Sequence, residues 1–157
     1  MKLTEMTPEQ FCDATNACSE GRKFALKYQS MSEVWDNCPT ANWLLWITDK
    51  TGRLDDRTLR LFAVWCARNT PLAHGRKTGN LITDPRSLAA LDVAERFANG
   101  QASRGELAAA WDAAGKAAWD DAWAAARAAA RAARDAAGKA QASQFRVMVK
   151  NPFTPNT

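Results

Sequence analysis

One histidine, one tyrosine and four cysteines are all that the chain offers of several chemically versatile side chains. With His74 alone, a multi-histidine metal site cannot form. Cys12, Cys18, Cys38 and Cys66 contain no Cys-x-x-Cys pair, so zinc-type spacing is missing and no metal is expected. Each thiol reads as a small buried hydrophobe in a reducing compartment. No apolar run approaches the ~20 residues of a membrane span. Met1–Gln10 is polar and lacks the apolar core of a signal peptide, so a cytoplasmic protein without a membrane partner is expected. Catalytic constellations are missing as well. Gly75-Arg76-Lys77-Thr78-Gly79 has glycines and cations but neither GxxxxGK[ST] spacing nor a preceding strand. Asp55, Asp56 and Asp84 stand at helix starts, where capping and the helix dipole account for them. Sequence reasoning therefore names no catalytic residue and no cofactor.

What is present points to helices. A chain of 157 residues with 46% hydrophobic content and seven tryptophans can bury a core and is read as one domain. Helix-start signals recur. Thr7-Pro8-Glu9-Gln10 is a capping box with proline in the first turn, leading to Phe11, Ala14, Thr15 and Cys18 at core spacing and a stop at Gly21. A short helix follows over 22–29. Ser30 with Glu33 caps a third, which stops at Cys38-Pro39. Asn42 is expected to cap the apolar run Trp43–Ile47, a buried helix rather than a strand given its neighbours. Asp55 or Asp56 opens a fifth, with Leu59, Phe62, Ala63 and Cys66 inward and Arg57, Arg60 and Arg68 outward. Residues 74–83 read as the main loop. Asp84-Pro85 opens a sixth helix, closed by Gly100. Ser103-Arg104-Gly105-Glu106 is a third capping box.

The last helix is the most distinctive part. Twenty of the 35 residues from Ala108 to Ala142 are alanine, the strongest helix former. Run unbroken from Arg104 to Lys150, it would be about 70 Å long at ~1.5 Å per residue, against a domain diameter of about 40 Å. A break is therefore expected at a glycine, with Gly138 preferred over Gly115. At about 100° per residue, Trp111, Trp119 and Trp123 form an aromatic edge beside a face of alanines, and Arg127, Arg131 and Arg134 form an adjoining basic ridge. From Ala124 onward, six Lys or Arg stand against Asp135 alone, an excess larger than the +4 of the whole chain. The chain is thus read as an all-α, single-domain bundle of six or seven helices over 1–157. It has a short-helix part at 7–100, the long helix at 103–150, and a tail at 151–157 that is loose unless Phe153 docks.

Several segments carry a family likeness. They are Asn42-Trp43-Leu44-Leu45-Trp46, Asp56–Ala63 with Cys66-Ala67-Arg68, Leu81–Ser87, Ala94–Gly100, the Ala/Trp/Arg tract and Asn151-Pro152-Phe153. Together they resemble a group of small helical proteins of phages, prophages and bacteria that carry an immunity-protein label. The likeness covers most of the chain, and its most specific part is 83–100. It implies binding and neutralising a toxin or effector and supplies no functional residues. Phage anti-CRISPR inhibitors share the size and helical class. The expected function is therefore a non-enzymatic, protein-binding inhibitor in the host cytoplasm, of the phage anti-defence (anti-CRISPR) type, directed at a nuclease effector complex. A toxin-neutralising immunity protein is the alternative. The expected partner-binding residues are Trp123, Arg127, Arg131 and Arg134, since Trp and Arg dominate interfaces. Nucleic acid is the second-choice partner, on the strength of the same basic third. The alanine face leaves monomer and homodimer both open.

Overall fold

A computed structural model describes residues 1–115 and 134–154, with the side chains of residues 73 and 134–136 outside that description. Regular structure among the described residues is helical: eight α-helices, three short 3-10 segments and one isolated bridge between Pro71 and Lys77. The chain divides into two compact units, residues 1–54 with 142–157 and residues 55–141.

The first unit holds α1 (Pro8–Thr15), α2 (Ser19–Ala25), α3 (Met31–Asn37) and α4 (Ala41–Lys50). Thr7 and Gln10 exchange the two bonds of the expected capping box, at 3.3 and 3.1 Å. Ser30 and Glu33 do the same for α3, at 3.2 and 3.3 Å. These interactions join residues three apart, so local sequence decides them.

Where α1 ends was not legible. Asn16, not Gly21, terminates it in the left-handed region at φ 53°. Asparagine tolerates that conformation, and its N–H closes onto Asp13 and Cys12 carbonyls. The chain then restarts at once, and Cys18 caps α2 by accepting the Gly21 N–H at 3.4 Å. Gly21 therefore lies inside a helix, and Cys18 is exposed rather than buried. Cys12 and Cys38 are buried as expected, and burial pushes both thiols above their usual pKa. Phe11 is buried as expected, but Ala14, also expected inward, is exposed, and Pro8 and Cys12 are buried beside Phe11. In α4 the helix begins at Ala41 after an N-cap Thr40, two residues before the expected Asn42 cap.

The second unit holds α5 (Asp56–Asn69), 3-10 turns at Ala73–Gly75 and Thr78–Leu81, α6 (Pro85–Ala98) and α7 (Arg104–Gly115). Asp55 caps α5 through the Thr58 N–H at 2.6 Å. The packed face of α5 differs from the expected stripe. Phe62 and Val64 are buried while Leu59 and Ala63 are exposed, and both α6 and the second 3-10 turn pack against the helix. Arg68 is not a solvated outward arginine either. Its guanidinium bridges Asp92 and Glu95 of α6.

Asp84 caps α6 and takes the Arg86 N–H at 2.8 Å and its guanidinium at 3.0 and 2.8 Å. Those bonds favour the charged carboxylate and hold its pKa at about 2. The folded value lies below the ordinary 3.8, so this stabilisation is complete above pH ~4 and is lost as pH falls towards 2. Thermal unfolding against pH checks it. Asp84→Asn is expected to flatten the acid limb between pH ~4 and ~2, and parallel curves would contradict the pairing.

The last helix, α8 (Arg134–Met148), runs from the second unit's residues into those of the first. It passes through Gly138 without interruption, so the break expected there is absent. A lone glycine costs only ~1 kcal/mol in a helix, less than the flanking packing supplies. The Gln141 amide donates to the Thr70 hydroxyl at 3.0 Å within the second unit. In the first unit, Ala142, Phe145 and Val149 are buried at i, i+3 and i+7 spacing. The start of the tail docks there. Asn151 donates to Ser32 and Asp36, Pro152 is buried, and the Phe153 ring meets Phe11 edge-on at 5.6 Å.

Candidate protein-binding surface

The sequence singled out Trp123, Arg127, Arg131 and Arg134. The first three lie outside the described residues, and Arg134 belongs to α8 with its side chain also outside them. The described part of the second unit presents a different cluster of the same chemical types.

It begins with a local device. Ser103 and Glu106 form the third expected capping box, at 3.2 and 2.7 Å, and so fix where α7 starts. That start places Arg104, Leu107, Ala108 and Trp111 at helical spacing along one side. Leu107, Ala110 and Ala114 are half-buried at i, i+3 and i+7, on the flank of α7 that packs against α6. Trp111 stands at the rim of that face with 63% of its surface exposed. The centre of the packed face thus lies to one side of Trp111 rather than on it.

Two longer-range contacts complete the cluster. Arg57 donates to the Asn99 side chain at 2.9 Å and ties the start of α5 to the end of α6. Gly100, at φ 72°, then turns the chain towards α7. Arg96 donates to the Gln101 carbonyl at 3.3 Å and pairs with Glu106 at 3.7 Å. Arg60 lies over the Phe97 ring, 5.0 Å from its centroid. Arg60, Phe97, Arg104, Leu107, Ala108 and Trp111 line a shallow depression of about 350 Å³.

The electrostatics are one-sided. Glu106, the nearest acid in sequence, is occupied by the Ser103 N–H and by Arg96, and these bonds lower its pKa. Neither Arg60 nor Arg104 has a carboxylate partner among the described residues. Two guanidinium groups and an exposed indole therefore share one apolar-floored hollow, which suits a partner with carboxylates or phosphates beside a flat group. Arg146, counted in the basic C-terminal third, does not add to such a surface. It is half-buried and its guanidinium goes to the Trp35 and Cys38 carbonyls.

Nothing in the sequence pattern pairs Arg60 with Phe97, which are 37 positions apart. The Arg104–Trp111 spacing was legible, and its signal was the capping box before it. Among the described residues, no group of three His, Cys, Asp or Glu is placed to hold a metal ion, and no helix is long and apolar enough to cross a membrane. Comparison with protein-family models, curated proteins and solved structures finds no match to this chain.

Proposed function

We propose that this chain is a non-enzymatic, protein-binding inhibitor that docks an acidic face of an effector through Arg60, Arg104 and Trp111. The observation that carries the reading is the exposed Trp111 beside two guanidinium groups without carboxylate partners among the described residues. Trp and Arg are the commonest interface anchors, and unpaired cations steer association with an acidic surface. Trp123, Arg127, Arg131 and Arg134 remain part of the proposed interface on sequence grounds. The effector class rests on resemblance to small helical phage proteins: a nuclease complex blocked by an anti-CRISPR-type protein. Neutralisation of a toxin is the neighbouring reading.

Affinity capture from host lysate tests the proposal, followed by titration of the recovered partner. Trp111→Ala and Arg104→Ala are each expected to weaken binding at least about tenfold, or ~1.4 kcal/mol. Equal affinity of both variants and wild type would remove this surface from the interface. Replacing Arg127, Arg131 and Arg134 together by alanine tests the ridge in the same assay.

The same cluster favours a second reading. An exposed indole with flanking arginines is also a stacking platform for a single-stranded base with phosphates on either side. Binding to single-stranded DNA or RNA would then weaken steeply with salt. Absence of binding at roughly 50–100 mM salt would eliminate it.

A further inference from the structure

The first unit contains a second hollow, unrelated to the cluster above. It lies among α1, α2, α3 and α4 and has a volume of about 350 Å³. Two aromatic pairs frame it. Phe11 meets Trp46 edge-on at 6.0 Å and 89°, and Phe24 meets Trp43 at 5.5 Å. Met31, Cys12 and Cys38 add sulfur to the walls, and Val34 and Ile47 add aliphatic surface. Two of the lining residues, Asn16 and Cys18, are exposed.

We propose that this cavity is a binding site for one small, uncharged ligand of about two-ring aromatic size. Size comes first. An apolar cavity of about 150 Å³ takes a benzene ring, and this one has more than twice that volume. Charge comes second. None of the lining residues carries a formal charge, so an ionic ligand would lose its hydration without gaining a counter-ion. The buried thiols of Cys12 and Cys38 stay protonated, because burial raises their pKa, and keep the wall neutral. Chemistry comes third. Rings and sulfur atoms supply the polarisable contacts that aromatic guests favour over plain hydrocarbon ones. Asn16 is the one lining residue with a side-chain amide, so a single hydroxyl or amide on the ligand would pair there.

The architecture that makes the cavity is specific. The left-handed Asn16 ends α1 early, and α2 restarts three residues later with Cys18 as its cap. That tight turn places Ala17, Cys18 and Gly21 on the wall. A Cβ at Gly21 would stand 3.3 Å from the Cys18 sulfur, so the small residue keeps this corner of the wall open.

Titration of the 157-residue chain with 2-naphthol tests the proposal, read by methyl NMR. Saturable one-to-one shifts are expected at Met31, Val34 and Ile47 methyls, with Leu59 and Leu88 of the second unit unmoved. Ala17→Phe, at the half-buried wall position, is expected to weaken binding at least tenfold. The anion 2-naphthoate, titrated into the unaltered chain, is expected to bind at least tenfold more weakly than the neutral alcohol. That arm needs no variant, so it decides even if Ala17→Phe fails to fold. The proposal is overturned by non-saturable shifts, by shifts centred on the second unit, by a folded Ala17→Phe chain of unchanged affinity, or by equal binding of alcohol and anion.

Discussion

Phe145→Ala is expected to cost about 3–5 kcal/mol of folding stability, the largest effect of any single change considered. Phe145 is fully buried, and its ring lies 6.1 Å from that of Trp35, which is itself 1% exposed. Truncation removes the transfer free energy of a benzyl group and leaves a void into which the packed surroundings relax only partly. Domains of this kind are stable by only ~5–15 kcal/mol, so the loss is a large share of the total. Urea unfolding followed by circular dichroism measures it. Val147→Ala is the internal control, two positions away on the same helix and 81% exposed, and is expected to change stability by less than ~0.5 kcal/mol. A Phe145→Ala loss below about 1 kcal/mol would show that α8 does not pack as described.

Arg146→Met is the second large effect, expected at about 2–3 kcal/mol. Its Nε donates to the Trp35 carbonyl at 3.0 Å, and a terminal nitrogen donates to the Cys38 carbonyl. Both acceptors belong to the last turn and cap of α3, where carbonyls lack the regular helical partner; the Trp35 carbonyl takes the Cys38 N–H at 3.3 Å in its place. A cation there also meets the negative end of the helix dipole. Methionine keeps the length of the stem but supplies no donor, leaving the Cys38 carbonyl without this partner and the Trp35 carbonyl with the Cys38 N–H alone. Arg146→Lys is expected to recover part of the loss, since an ammonium can reach one carbonyl but lacks the fork that serves two. Equal stability of the Met and Lys variants would mean that the stem, not the hydrogen bonds, carries the contribution.

These two neighbours on α8 show why basic residues cannot be assigned to a surface by counting. Arg146 raises the charge of the C-terminal third on paper, yet it is consumed as a helix cap inside the first unit. Arg68 is spent between two carboxylates of α6. Arg60 and Arg104, which drew no notice as binding residues, share one hollow and have no carboxylate partner among the described residues. Which arginine faces a partner depends on where each helix rotates, and that follows from packing.

By itself the sequence determined the helical class and the places where most helices begin. The boxes at Thr7/Gln10, Ser30/Glu33 and Ser103/Glu106, and the caps Asp55 and Asp84, all form as read. Each joins groups two or three residues apart, so its free energy is set before any tertiary contact exists. Tertiary structure decided the rest. It carried α8 through Gly138, buried Phe145 against Trp35 and turned Arg146 inward. It placed Arg60 over Phe97 and left a cavity between the four short helices of the first unit. Those outcomes balance burial against backbone preference across tens of residues, and a glycine penalty of ~1 kcal/mol or an arginine's preference for water is outweighed by the packing around it.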